Sequence, residues 1–347
     1  SPLLHAVGDA LLTEVQTFGV LLDIYRRVPA IYANYNSYDE VAHKMGPTHR
    51  AAFRTLREID RRIRQIDRMR TRYRGRRYAL HILSDHGNSP ATPFRWRAGM
   101  SLGEFVGEQA AGAASVDEQA HWAVPSADKA RYMLAEWEGL ERRLPPRLRR
   151  ALTPLREHVS RRVTPVSVAD YDLDRQQDIV VSASGPLAHI YLNISRRPLD
   201  LIEVVLLHPQ MVDGLLGVEG VGAVIGRAGE RTIVLGRDGG VTVLDAARVV
   251  VREPCPLTMF GEPDYVARQV HYLSHFPHSG DLIVLGAVGR DGRVVGFEGQ
   301  MATHGGLGGA QGEPFIVWPT EFPYEPGALQ DAQEMYAYFS ALARPKG

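Results

Sequence analysis

An apolar run near the start of the chain leads into a carboxylate and a histidine. Residues 30–35 predict a buried strand, and Asp39 and His43 follow it. If a helix begins at Asp39, the spacing of four places both side chains on one face, where they can bind one divalent metal ion. An N-capping Asp followed by a surface His produces the same pattern, so this pair alone leaves both interpretations open.

Two further stretches of the sequence also contain candidate metal-binding Asp or His residues. Residues 80–83 predict a second strand, which leads directly to Asp85 and His86, and His304 begins the glycine-rich stretch 303–309. Ligands of open α/β sheets collect at the carboxyl ends of the strands. Strands that end in Asp and His therefore predict one site that is built from neighbouring strand ends.

The motifs YDEVAH, LSDHG and THGGLGG, in this order, resemble the alkaline phosphatase superfamily in its type I phosphodiesterase/nucleotide pyrophosphatase branch. They are most similar to bacterial proteins that carry such a domain behind membrane segments. The resemblance implies hydrolysis of a phosphorylated small molecule or nucleotide with two metal ions, usually zinc. It implies that Asp39, His43 and His304 hold one ion and that Asp85 and His86 form part of the other site. Asp and His ligands suit zinc or manganese.

The same resemblance implies two elements that should precede the Asp39 motif. These are a strand that ends in a further metal-binding Asp and, soon after it, a Thr or Ser nucleophile. The residues before Asp39 predict one helix and one strand, and the chain begins with Ser1 and Pro2. We therefore expect a fragment or a processed chain, with the nucleophile upstream of Ser1. Asn36 or Asn88 is a candidate for orienting a phosphoryl oxygen.

Alternating strand and helix patterns predict an α/β fold with a mostly parallel central sheet flanked by helices. Residues 1–112 are expected to form the first part of this core. Residues 113–177 are charged and helix-rich and predict a helical insertion, as a lid or a partner surface. Residues 178–347 predict the second part of the core, including β-rich hairpins over residues 221–251 at an antiparallel edge or in a small subdomain.

Residues 50–77 hold twelve arginines and three carboxylates on a predicted amphipathic helix. Such a helix can meet nucleic acid, anionic lipid or a phosphorylated substrate. We favour the solvated outer face of a helix that crosses between two parallel strands, which would place the arginines away from the strand ends. A membrane could still meet this face, and we predict no nucleic-acid partner.

Other clusters of ligand-type residues are less convincing as sites. His271, His275 and His278 have helical spacing, but Pro277 should end the helix before the third histidine, so we interpret them as exposed or helix-terminal. An acidic run lacks the Gly and the closing Glu of a calcium loop, which favours a solvated linker. That run consists of Asp170, Asp172, Asp174 and Asp178.

The composition narrows the class of protein only in part. Forty basic and forty acidic residues cancel, so the net charge indicates neither nucleic acid nor membrane. The single cysteine, Cys255, excludes an internal disulfide, and no apolar run reaches the length of a transmembrane helix. No signal peptide is recognisable at residue 1, and localisation stays open.

Three functions are compatible with these observations. The first is a metal-dependent phosphodiesterase or phosphatase whose nucleophile lies upstream. The second is a mutase or a phospho- or sulfo-transferring relative, because one fold hosts several chemistries. The third is a degenerate, non-catalytic member that binds a ligand or partner through the helical insertion and the arginine face.

Overall fold

The computed structural model of the chain describes residues 2–112, 114–120, 177–245, 249–320 and 332–343. None of the helices in these ranges is both long and apolar enough to cross a lipid bilayer. The helices are α1 (Pro2–Tyr25), α2 (Ser37–Met45), α3 (Arg50–Arg72), α4 (Phe94–Ala98), α5 (Leu102–Gln109), α6 (Leu201–Leu207), α7 (Met211–Gly217), α8 (Pro263–Ser274) and α9 (Ala332–Ala343).

The strands fall into one large sheet and two small ones. They are β1 (Ile82–Leu83), β2 (Ser89–Pro93), β3 (Val116–Ala120), β4 (Ile179–Ser184), β5 (Leu187–Leu192), β6 (Val221–Ala228), β7 (Arg231–Gly236), β8 (Val241–Leu244), β9 (Val249–Arg252), β10 (Leu282–Gly286), β11 (Val294–Gly296), β12 (Ala302–Thr303) and β13 (Ile316–Val317). The large sheet has the order β3-β4-β5-β10-β6-β7-β8-β9, and the small sheets are β11-β2-β12 and β1-β13.

The predicted α/β class is confirmed, but the prediction that the central sheet is mostly parallel is wrong. In the large sheet only β3 and β4 run parallel, and the other neighbours are antiparallel. The reason lies in the connections. Two-residue links at Gly185 and Gly229 reverse the chain between β4 and β5 and between β6 and β7, and such short links can join only antiparallel strands.

Helices cover both faces of the large sheet. Along β6, Val224 packs against the cluster that includes α5, α6 and α7, while Ala223 and Ile225 face the cluster that includes α8. Successive side chains of a strand point to opposite faces, so one apolar strand contributes to both cores. This arrangement explains why β6 and β10 are apolar almost throughout and almost completely buried.

The N-terminal region differs from the sequence prediction. Residues 30–35 form no strand; Tyr32 is 81% exposed, and the run has no strand partner in the described structure. The second predicted strand is reduced to β1, whose partner β13 is antiparallel. The expected strand–helix–strand unit is therefore wrong, because an apolar run becomes a strand only where another strand can satisfy its backbone.

The structure differs from the helical insertion predicted for residues 113–177, but it contains the hairpins predicted for residues 221–251. Within residues 113–177, Val116–Ala120 is a strand of the large sheet rather than a helix, because it pairs with β4. Residues 121–176 lie outside the described residues, as do Asp170, Asp172 and Asp174. The hairpins over residues 221–251 are confirmed, and they continue the large sheet to its edge. The domain boundaries themselves remain predictions.

Helix α5 begins with a capping box that should contribute measurably to stability. Ser101 Oγ accepts the Glu104 N–H at 3.2 Å, and the Glu104 carboxylate accepts the Ser101 N–H at 2.6 Å. The Ser101 hydroxyl also donates to Glu118 of β3. We expect Ser101→Ala to lower the free energy of unfolding by about 1 kcal/mol, as measured by urea denaturation. Ser101→Thr, which keeps the hydroxyl, should lose much less; equal losses would contradict this role of the cap.

Candidate metal centre

Three predicted ligands converge at the start of α2. His43 Nε2 lies 3.2 Å from Asp39 Oδ2, and His304 Nε2 lies 3.4 Å from Asp39 Oδ1. The two histidine Nε2 atoms are 3.0 Å apart although their residues are separated by 261 positions in the sequence. Asp39 and His43 share a face because one helical turn separates them, as their spacing predicts. The structure thus brings together the three residues proposed for one ion.

Backbone contacts hold the loop of His304 against α2. The His43 carbonyl accepts the Met301 N–H at 2.7 Å, just before β12. His43 Nδ1 lies 2.8 Å from the Ala302 carbonyl oxygen, which can only accept, so Nδ1 carries the hydrogen. In the neutral imidazole, Nδ1 carries the hydrogen and Nε2 has the lone pair that a metal ion needs; in the protonated ring, Nε2 instead donates to Asp39. The neutral form has the tautomer and the backbone partner that a metal-binding histidine usually has.

Asp39 and the neighbouring histidines stabilise each other's charged forms. Burial alone would raise the pKa of Asp39, but hydrogen bonds from His304 and His43 and their positive charge hold that pKa well below its ordinary value. Burial alone would lower the pKa of His43, but the hydrogen bond and the charge of Asp39 raise it. Asp39 is therefore a carboxylate at neutral pH, which is the form that binds a cation.

The donor set fits a zinc-sized ion. Four ligands at about 2.0–2.1 Å from tetrahedral zinc lie about 3.3 Å from one another. The separations of 3.0, 3.2 and 3.4 Å in the cluster are close to this value, with His43 facing Oδ2 of Asp39 and His304 facing Oδ1. The three ligand atoms lie within 4.8 Å of one another. Asn88 Nδ2 donates to Asp39 Oδ1 at 3.2 Å and so helps to hold the carboxylate.

Asp85 and His86 lie beside this triad without joining it. The His86 ring stacks on the His304 ring, with centroids 3.6 Å apart, and His86 Nε2 is 3.6 Å from Asp85 Oδ1. Asp85 is largely exposed, and the close group of ligand atoms among the described residues is limited to the triad. His86 Nδ1 donates to the Gly87 carbonyl at 2.8 Å, which leaves Nε2 available on the side of Asp85.

Gly87, the residue after His86, lies against the backbone of Ala310 and leaves no room for a side chain. A Cβ at Gly87 would lie 1.8 Å from the Ala310 carbonyl oxygen, so no other residue fits without movement of the backbone. The Gly87 N–H donates to the Gln311 carbonyl at 3.0 Å. The LSDHG motif is therefore held against Ala310 and Gln311, which directly follow the THGGLGG motif.

Further buried polar groups complete the surroundings. Glu298 is 5% exposed, accepts the Gly185 N–H at 2.9 Å, and its charge contributes to raising the pKa of His43. Thr303 Oγ1 and Asn88 Oδ1 are buried without a hydrogen-bond partner among the described residues. Glu298 lies in none of the three motifs, and only a map of buried polar atoms reveals it.

The rival histidines do not converge on a cation site. His271 Nδ1 contacts Thr232 Oγ1 at 3.0 Å, and His275 caps the end of α8. Their ligand atoms do not belong to a close group of three in the described structure. The helix ends at Ser274, before Phe276, which agrees with the expected effect of Pro277.

One comparison with known proteins is positive. A family model described as type I phosphodiesterase / nucleotide pyrophosphatase matches residues 7–193, which is more than half of the 347 residues. This range includes the YDEVAH and LSDHG motifs, whereas the THGGLGG motif lies beyond it. No curated protein and no solved structure matches the chain significantly.

Proposed function

Because the chain belongs to the type I phosphodiesterase/nucleotide pyrophosphatase family of the alkaline phosphatase superfamily, we propose that it is a metal-dependent hydrolase of phosphate esters with a two-ion site. This is a family of phosphoric ester hydrolases that act on phosphorylated small molecules or nucleotides and generally depend on metal ions. The substrate of this chain is accordingly expected to carry a phosphodiester or a pyrophosphate.

The convergence of Asp39, His43 and His304 is the observation that carries the proposal. A carboxylate and two imidazoles from distant parts of the chain approach one point with their ligand atoms facing each other. Without a cation, a protonated histidine compensates for the buried carboxylate; a bound cation would replace that proton and satisfy both imidazole Nε2 atoms at once. Burying several titratable groups together costs free energy unless a charge or a ligand compensates for it.

In this proposal Asp39, His43 and His304 hold one ion, and Asp85 and His86 contribute to the second. When bound, the two ions polarise the phosphoryl group and stabilise the attacking and leaving oxygens. The protein keeps the ligands in place through the Ala302 carbonyl on His43 and the Asn88 amide on Asp39.

Metal content tests the proposal most directly. We expect the chain, purified without chelator and dialysed against zinc or manganese, to retain bound metal in elemental mass spectrometry. His43→Ala and His304→Ala should each abolish binding at the first ion, because loss of a ligand leaves only two donors. His271→Ala is the matched control, since that histidine lies on α8 away from the triad.

The outcomes separate the proposal from its alternatives. Equal metal content in the chain and in both alanine variants would contradict the assigned ligands. Bound metal lost in both variants, with metal-dependent hydrolysis of a chromogenic phosphodiester by the natural protein, would support the hydrolase. Metal without hydrolysis of any phosphodiester, pyrophosphate or monoester tested would favour the non-catalytic alternative.

A further inference from the structure

Helix α3 carries a continuous row of exposed arginines that the candidate metal centre does not use. At 3.6 residues per turn, side chains at these spacings of three, four and seven lie on one face. The distance from one end of the row to the other is about 33 Å at 1.5 Å per residue. The row, called here the arginine face, consists of Arg50, Arg54, Arg57, Arg61, Arg68 and Arg72.

Charge is strongly segregated in this part of the chain. Residues 50–77 hold twelve arginines and three carboxylates, a net charge of +9, and the remainder of the neutral chain therefore carries −9. Within the described structure no carboxylate pairs with the arginine face; the ion pairs of α3 involve Arg62, Arg64 and Arg70 instead. A symmetric dimer through this face is unsuitable, because two such faces would repel each other.

The opposite side of α3 is fixed in the protein. Ile66 packs with Val20 and Ile24 of α1, and Ala52 is fully buried. The helix therefore cannot rotate to insert its apolar side into a partner. Whatever binds the arginine face must contact it from outside, along the length of a rigid helix.

One apolar side chain accompanies the arginines in the first turn of α3. Phe53 is 48% exposed and lines a cleft of about 270 Å³ together with Arg50, Arg54 and Arg57. At 100° per residue, Leu56 points well away from the arginine face. Three arginines and a phenyl ring in one cleft offer charge-assisted hydrogen bonds to a phosphate and apolar contact beside them.

We propose that the arginine face docks the protein peripherally on an anionic phospholipid surface. The arginines would bind headgroup phosphates, and Phe53 would reach the boundary between headgroups and acyl chains. A nucleic acid offers the same phosphate charge, but its backbone gives this apolar side chain no environment that it prefers. An anionic membrane satisfies both kinds of side chain at once.

Vesicle co-sedimentation in 0.1 M NaCl tests the proposal. We expect the chain to bind vesicles of phosphatidylcholine and phosphatidylglycerol (7:3) and to bind pure phosphatidylcholine vesicles far more weakly. Each basic side chain near an anionic surface contributes about a fivefold increase in binding. The triple variant Arg54→Gln/Arg57→Gln/Arg61→Gln should thus bind about 100-fold more weakly.

A matched triple variant controls for net charge. Arg231→Gln/Arg252→Gln/Arg290→Gln removes the same charge from exposed positions elsewhere and should bind nearly as the parent does. Phe53→Ala should weaken binding several-fold without changing its salt dependence. Equal losses in the two triple variants, or equal binding to both kinds of vesicle, would overturn the proposal. Tighter binding to a fluorescent 30-base-pair DNA duplex than to the anionic vesicles would overturn it in favour of nucleic acid.

Discussion

Replacing Asp281 with alanine is expected to lower the free energy of unfolding by about 3–5 kcal/mol. The carboxylate is 7% exposed and accepts two backbone N–H groups, those of Leu192 and Leu199, each at 2.7 Å. It also faces Arg227, which is 8% exposed, with a closest approach of 3.9 Å. The alanine would leave two buried donors without an acceptor and a buried guanidinium without its counter-charge.

Urea denaturation of purified variants measures this effect. Asp291→Ala is the control, because Asp291 is exposed and pairs with Arg293 at the surface. Exposed ion pairs contribute about 0–1 kcal/mol, so this variant should stay within that range. If Asp281→Ala destabilised the protein no more than Asp291→Ala, the buried carboxylate would not be the link between β5, β10 and α6 that its hydrogen bonds indicate.

Local patterns were sufficient to predict most individual elements. Asp39 and His43 share a helical face, residues 50–72 form a helix, and the hairpins over residues 221–251 are present. The resemblance read from three short motifs is confirmed by the family match. These successes depend on periodicity, capping residues and motif spacing, which are all properties of neighbouring residues.

Long-range pairing was the part that local patterns did not determine. Residues 30–35 and 80–83 are both apolar and look alike in sequence, yet the first run has no strand partner in the described part of the chain and the second pairs for two residues with β13. The direction of a strand depends on the element beside it, and its own residues carry little information about that. The parallel sheet was therefore inferred from the order of elements, and it was inferred wrongly.

In the candidate metal centre, too, the sequence motifs predicted some of the residues and missed others. The motifs correctly selected Asp39, His43 and His304 as residues that could meet, although they lie in separate parts of the sequence. They did not indicate that Glu298 lies buried near His43, or that Thr303 Oγ1 is buried without a partner. Such groups become visible only when burial is known, because a Glu or Thr is exposed more often than not.

Replacing Gly185 with alanine is expected to affect both the fold and the metal centre. Gly185 forms the turn between β4 and β5 with a φ of +59°, which disfavours any residue with a Cβ. The added Cβ would lie 2.3 Å from the His304 carbonyl oxygen and 2.7 Å from Thr303 Oγ1. The loop that carries His304 must then move. We expect a loss of about 2–4 kcal/mol from backbone strain and overpacking, measured in urea, and weaker zinc binding in calorimetry.

Gly229→Ala separates the two contributions to this effect. Gly229 has the same φ of +59° in the turn between β6 and β7, but an added Cβ there would meet no atom within 4 Å. It should therefore show the backbone strain alone, about 1–2 kcal/mol, with unchanged zinc affinity. If Gly185→Ala also left zinc affinity unchanged, the position of His304 would not depend on this turn. A selective loss of affinity at Gly185 would mean that the large sheet, through its β4–β5 turn, sets the geometry of the metal ligands.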